Sequence, residues 1–181
     1  MTDLLRITLD GWILADGNYA GFERGARYQF ALEFWPITEL RLRDAESAPR
    51  PALYWLKDWT YRVEGAVIHA KDDWWVLDVG LRVFQDRRPT WPVGARVWGE
   101  ISLGIDPFYY FENRTHEPDA PALIYDWVVE AIELDATPFI EVGPRHFRRD
   151  RSRPEFTPVE KTDPQSDYVL TCRRLPGEPR R

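Results

Sequence analysis

Apolar residues recur at every second position in one segment of this chain after another. Leu5, Ile7, Leu9 and Gly11 alternate with Arg6, Thr8 and Asp10, and Ala26, Tyr28, Phe30, Leu32 and Phe34 alternate with Arg27, Gln29, Ala31 and Glu33. Trp75, Leu77, Val79, Leu81 and Val83 form a third stripe, and Val97, Gly99, Ile101, Leu103 and Ile105 a fourth. Val63, Gly65 and Val67 suggest a fifth, and Tyr168 to Leu175 a last, shorter strand. A side-chain period of two belongs to a strand with one buried face. Turn signals separate the stripes at Asp16-Gly17-Asn18, Lys71-Asp72-Asp73 and Pro89 to Gly94. No helical pattern alternates with the strands, so the expected fold is all-β and mainly antiparallel. A small Greek-key barrel or sandwich is predicted, with room for one short helix.

Two segments resist a single reading. Residues 121–135 fit a helical face through Ile124, Trp127, Val128, Ala131 and Ile132. They also fit two strand registers, Tyr125-Trp127-Val129 and Ile132-Leu134, joined by a bulge. Their β-branched and aromatic content favours the strand. Residues 38–52 are polar, end in Pro49 and Pro51, and read as a loop that could hold a short helix. Gly25-Ala26-Arg27 and Gly94-Ala95-Arg96 each open a long alternating stripe. Unequal spacing argues against a repeat, so the shared demand is for glycine in a left-handed turn.

The strand–turn–glycine–strand order in Tyr61–Val67, Val76–Gly80 and Gly94–Ile101 resembles small Greek-key barrels such as the oligonucleotide/oligosaccharide-binding (OB) fold. The resemblance is one of architecture, covers about a quarter of the chain, and leaves function open.

With 181 residues, of which 44% are hydrophobic and 30% charged, the chain can bury one core without staples. Cys172 is the only cysteine, which excludes an intramolecular disulfide and a cysteine-rich zinc site. No secretory pattern opens the chain and no apolar run approaches spanning length, so the expectation is a cytoplasmic protein without a membrane partner. The bias to 21 Arg over 3 Lys fits a GC-rich coding genome. Residues 1–140 hold 14 basic and 23 acidic residues, a balance of −9, and residues 141–181 hold 10 and 7, a balance of +3. The expected organisation is a barrel or sandwich over 1–142, followed by a basic, Pro-rich extension over 143–181 whose final strand packs on the same domain.

No local catalytic motif is present. His69, His116 and His146 lie far apart without metal-ligand spacing, so no metal and no cofactor is expected. His69 reads as a packed or edge residue and His116 as a loop residue. No nucleophile elbow exists, and Ser102 reads as a solvent-facing strand residue. Cys172 reads as core packing, although nearby arginines would lower a thiol's pKa. Asp78, Glu100 and Asp106 sit on the polar faces of neighbouring stripes and read as solvated, with convergence into an acid–base site as the alternative.

The most unusual stretch is Asp106-Pro107-Phe108-Tyr109-Tyr110-Phe111-Glu112. In an extended chain alternate residues face opposite sides, so one pair of these rings is exposed unless another segment covers it. Trp74 faces outward on the same logic if Trp75 faces the core. Trp74, Phe108, Tyr109, Tyr110 and Phe111 are therefore the candidate partner-binding residues. The leading expectation is a non-enzymatic interaction protein with a protein partner, an immunity-like or accessory factor. The alternative is single-stranded nucleic-acid binding through Arg145, Arg148, Arg149, Arg151 and Arg153, disfavoured by the acidic body that those arginines could instead pair with. A third reading is an enzyme whose carboxylates and histidines assemble only in space.

Overall fold

In the computed structural model, residues 4–43 and 50–181 are described. Of the described residues, 51% lie in strands and 6% in helix. In order come β1 (Leu4–Leu9), α1 (Gly11–Ala15), β2 (Arg27–Phe30), β3 (Leu32–Pro36), β4 (Arg41–Leu42), β5 (Ala52–Lys57) and β6 (Thr60–Ala70). They are followed by β7 (Trp75–Asp78), β8 (Arg82–Gln85), β9 (Arg96–Ile105), β10 (Tyr125–Asp135), β11 (Phe139–Gly143), β12 (His146–Arg149), β13 (Phe156–Val159) and β14 (Tyr168–Arg174).

The expected all-β barrel is present. Five strands close a ring in the order β6-β7-β8-β3-β9, with β9 returning to β6. The ring is mixed, because β3 runs parallel to β8 while the other neighbours are antiparallel. Extra strands extend from its wall. From β9 the pairing passes to β1, β14 and β10, and from β10 to β2. Only Ala31 separates β2 from β3, which pairs back onto β9. The two strands behave as one kinked strand, so a second circuit of pairing shares the β3 and β9 wall with the first. One core cluster serves both, joining Phe34, Trp75 and Ile101 to Ile7, Trp127 and Leu170.

The two GAR turns share a geometry. Gly25 and Gly94 lie at φ +82° and +88°. In each, the following alanine N–H bonds three residues back, to the carbonyls of Glu23 and Pro92. A left-handed position without a Cβ penalty is what both turns demand. Of segment 121–135, Tyr125–Asp135 form strand β10, with its register shift between Val129 and Ala131. The stripe from Trp75 to Val83 is two strands, β7 and β8, joined around Gly80 at φ +94°. Gly11 opens α1 rather than ending a strand. Of the polar stretch 38–52, residues 41–42 form β4 and Ala52 opens β5, while 44–49 lie outside the described residues. Among the described residues no helix is long and apolar enough to cross a membrane.

Candidate functional site

Both faces of the β7–β8 hairpin are buried. Trp75, Leu77 and Val83 enter the main core, and Val76 and Phe84 form a second cluster with Trp74, Tyr110, Ala120 and Leu123. The segment after β9 lies over the outer face. This corrects the outward placement of Trp74, whose ring is fully enclosed at 0% exposure. It sits between His69, at 4.3 Å between ring centroids, and the Arg114 guanidinium, at 5.5 Å. His69 is thus the packed residue expected of it.

The aromatic run is not extended. A π-helical turn spans Tyr110–Arg114, so period-two logic fails and each ring finds its own environment. Tyr110 is fully buried, its hydroxyl donating to the Pro121 carbonyl at 2.6 Å. Tyr109 and Phe111 are exposed at 42% and 51%, and Phe108 is half-buried. Asp106 explains the turn. Its carboxylate accepts the N–H groups of Tyr110 (3.2 Å) and Phe111 (3.4 Å), satisfying donors that a helix start leaves open. At 2% exposure Asp106 is not the solvated residue its strand position suggested.

These residues frame a pocket of about 100 Å³, lined by Tyr19, Gln29, Phe30, Ala31, Asp106, Phe108, Phe111 and Ile124. Two hydrogen bonds tie one wall to the next. Tyr19 Oη donates to the Asp106 carbonyl (2.9 Å), and Asn18 Nδ2 to that of Pro107 (3.1 Å). Phe108 sits at φ +74°, a costly conformation for a bulky residue. Its ring meets Tyr19 at 4.8 Å and 80°, and Phe111 at 5.3 Å and 62°. Burial, reinforced by the nearby Asp86 charge, pushes the Asp106 carboxyl up to about 7 against the pull of its backbone donors. Glu33 is pushed up to about 8, by burial first and then by Asp106 and Asp86.

The other candidates disperse. Asp78, Glu100 and Asp106 do not converge: Asp78 accepts the Gly80 N–H, and Glu100 faces Arg62 at 4.0 Å. Ser102 is buried at 6% exposure, not solvent-facing, and Cys172 is sealed in the core with its thiol pKa pushed far up by burial. Among the described residues no His, Cys, Asp and Glu side chains group as metal ligands. The C-terminal arginines divide in two. Arg149 bonds Asp167 of the same extension (2.8 Å) and the Thr137 carbonyl (2.9 Å), and Arg151 pairs with Asp135 of the acidic body (2.8 Å). Arg145, Arg148 and Arg153 are exposed. Arg145 and Arg148 belong to the β11–β12 hairpin, which carries exposed Phe139, Val142 and Phe147 and has no strand partner outside itself among the described residues.

Sequence reasoning found Phe108 and Phe111 but missed Tyr19, Phe30 and the hairpin. The hairpin had a signal, since Gly143-Pro144 separates two β-prone runs. Tyr19 had none, because it reaches the pocket only through the fold. Comparison of the chain with known protein families, curated proteins and solved structures finds no match in any of the three.

Proposed function

We propose that this chain is a non-enzymatic interaction protein of the cytoplasm that holds a protein partner at the Tyr19–Phe108–Phe111 pocket. The observation that carries this reading is the pocket itself, where Phe108 holds a strained backbone conformation and Phe111 and Tyr109 stand exposed. Strain of this kind persists where surrounding structure enforces it, and it clusters at ligand clamps. Rigid exposed aromatics are the usual anchors of protein interfaces. An immunity-like or accessory role fits such a module. A photo-crosslinking residue placed at Tyr109 tests the reading in lysate of the native cell. The expected result is one discrete protein adduct that disappears with Phe111→Ser. A chain recovered alone and without adduct counts against it.

A second reading, single-stranded nucleic-acid binding, draws on the ring order β6-β7-β8-β3-β9. On this reading that order resembles an OB barrel whose last strand has moved to the front of the chain. In such barrels the second and third strands offer the ligand face. Here the corresponding β7–β8 face lies under the chain's own Tyr110, Ala120 and Leu123, and of the five arginines Arg149 and Arg151 are paired with acids, while Arg145, Arg148 and Arg153 are exposed. Salt-dependent binding of a labelled oligonucleotide, lost on reversing Arg145 and Arg148, would favour this reading over the first.

A further inference from the structure

The pocket beside Phe108 is too small for a whole ligand. Its volume of about 100 Å³ lies well under the roughly 300–1,000 Å³ of small-molecule sites, so it takes one compact group. Four of its lining residues are aromatic: Tyr19, Phe30, Phe108 and Phe111. Its one ionisable acid is Asp106, and its lining contains no Lys, Arg or His. Aromatic faces carry negative quadrupoles, so rings around a concavity attract a positive charge, and desolvation strengthens the attraction. The Asp106 carboxyl already accepts the Tyr110 and Phe111 N–H groups, so the rings carry the attraction for an incoming group. From this geometry we infer that the pocket is a cage for a compact organic cation, an alkylammonium or guanidinium head group. The inference rests on the pocket being the contact site, and it adds the chemistry that the site selects. The cation could be a lysine or arginine side chain of a protein partner or the head of a free onium compound, and both present the same charge to the same rings.

Titration of the full chain with choline, followed through the aromatic proton resonances, tests it. The control is 3,3-dimethylbutan-1-ol, which has the shape of choline without its charge. Choline is expected to bind about tenfold more tightly than the alcohol. Phe111→Leu keeps an apolar wall but removes a π face. It is expected to cost choline most of that advantage while leaving the alcohol unchanged, with the folded spectrum intact because Phe111 is half exposed. Nα-acetyl-lysinamide and Nα-acetyl-argininamide, titrated in parallel, separate the sources. Tighter binding of either than of choline assigns the site to a partner's side chain, and the reverse assigns it to a free onium; both outcomes support the cage. Equal binding of choline and the alcohol, no shift with any cation, or a Phe111→Leu variant that still prefers choline would overturn it. Loss of the Tyr109 adduct in Phe111→Ser alongside a pocket blind to cations would sink the cage while leaving the protein-partner reading standing.

Discussion

Glu33 is the residue whose chemistry departs furthest from its place in the sequence pattern. It sits on the polar side of an alternating stripe, yet the fold leaves it 7% exposed, near two other acids, Asp106 and Asp86. Glu33 and Asp106 titrate near 8 and 7, above the usual carboxylate range. The folded chain therefore holds protons that the unfolded chain would release. The stability tied to those protons is complete below the unfolded pKa values and is lost as pH rises through about 7 to 8. Thermal melts between about pH 5 and pH 9 are expected to show a falling Tm, and Glu33→Gln is expected to flatten the curve. The variant's gain should be a few degrees, roughly, at the alkaline end and close to nothing at the acid end. A wild-type Tm that rises across that range would mean that both carboxyls are ionised in the fold.

At the scale of elements, the β11–β12 hairpin is held at its base. Two-stranded ribbons are marginal alone in water, and this one exposes most of both strands. Arg149 supplies the attachment, with its side chain 14% exposed between Asp135 at 3.4 Å and Asp167 at 2.8 Å, and its guanidinium 4.6 Å from the Phe139 ring centroid. Arg149→Ala is expected to lower stability by about 1.5–3 kcal/mol, the range for hydrogen bonds to charged groups. Hydrogen exchange would locate the loss. Amides of 139–149 should lose protection while those of β6 and β9 keep theirs. Uniform loss across the barrel would place Arg149 in the main cooperative unit instead.

At the scale of the whole molecule, β9 is the shared wall. It pairs with β3, β4 and β6, and touches β1 at Thr8–Gly104. Gly104 sits where both circuits meet, and a Cβ there would come within 2.4 Å of the Trp35 ring and 2.9 Å of Thr8 Oγ1. Gly104→Ala is expected to destabilise by about 1–3 kcal/mol through overpacking, read as a lower denaturation midpoint with an unchanged slope. The cooperative transition should stay single, because one core cluster spans both circuits. The C-terminal strand belongs to that unit, since β14 lies between β1 and β10 and contributes Leu170 and Cys172 to the core.

The alternating stripes were enough to indicate an all-β fold, to favour a bulged strand over 121–135 and to mark the two glycine turns, because strand period and left-handed φ are local demands that a few neighbouring residues express; between barrel and sandwich only the strand pairing decided. The residues that make the candidate site were legible only in part. Phe108 and Phe111 stood out as rings that an extended chain could not all bury. That Tyr110 and Trp74 are sealed instead follows from the π-helical turn capped by Asp106 and from the segment folded over β7–β8. For Arg149 and Arg151 the sequence offered pairing with acids of the same chain against contact with nucleic acid, and only the fold named the acids, Asp135 and Asp167. Tyr19 and Phe30 joined the pocket from sequence positions more than 70 residues from Asp106. Burial, pairing and enclosure are properties of what lies across the sheet, and the period of a single strand carries no record of its neighbour.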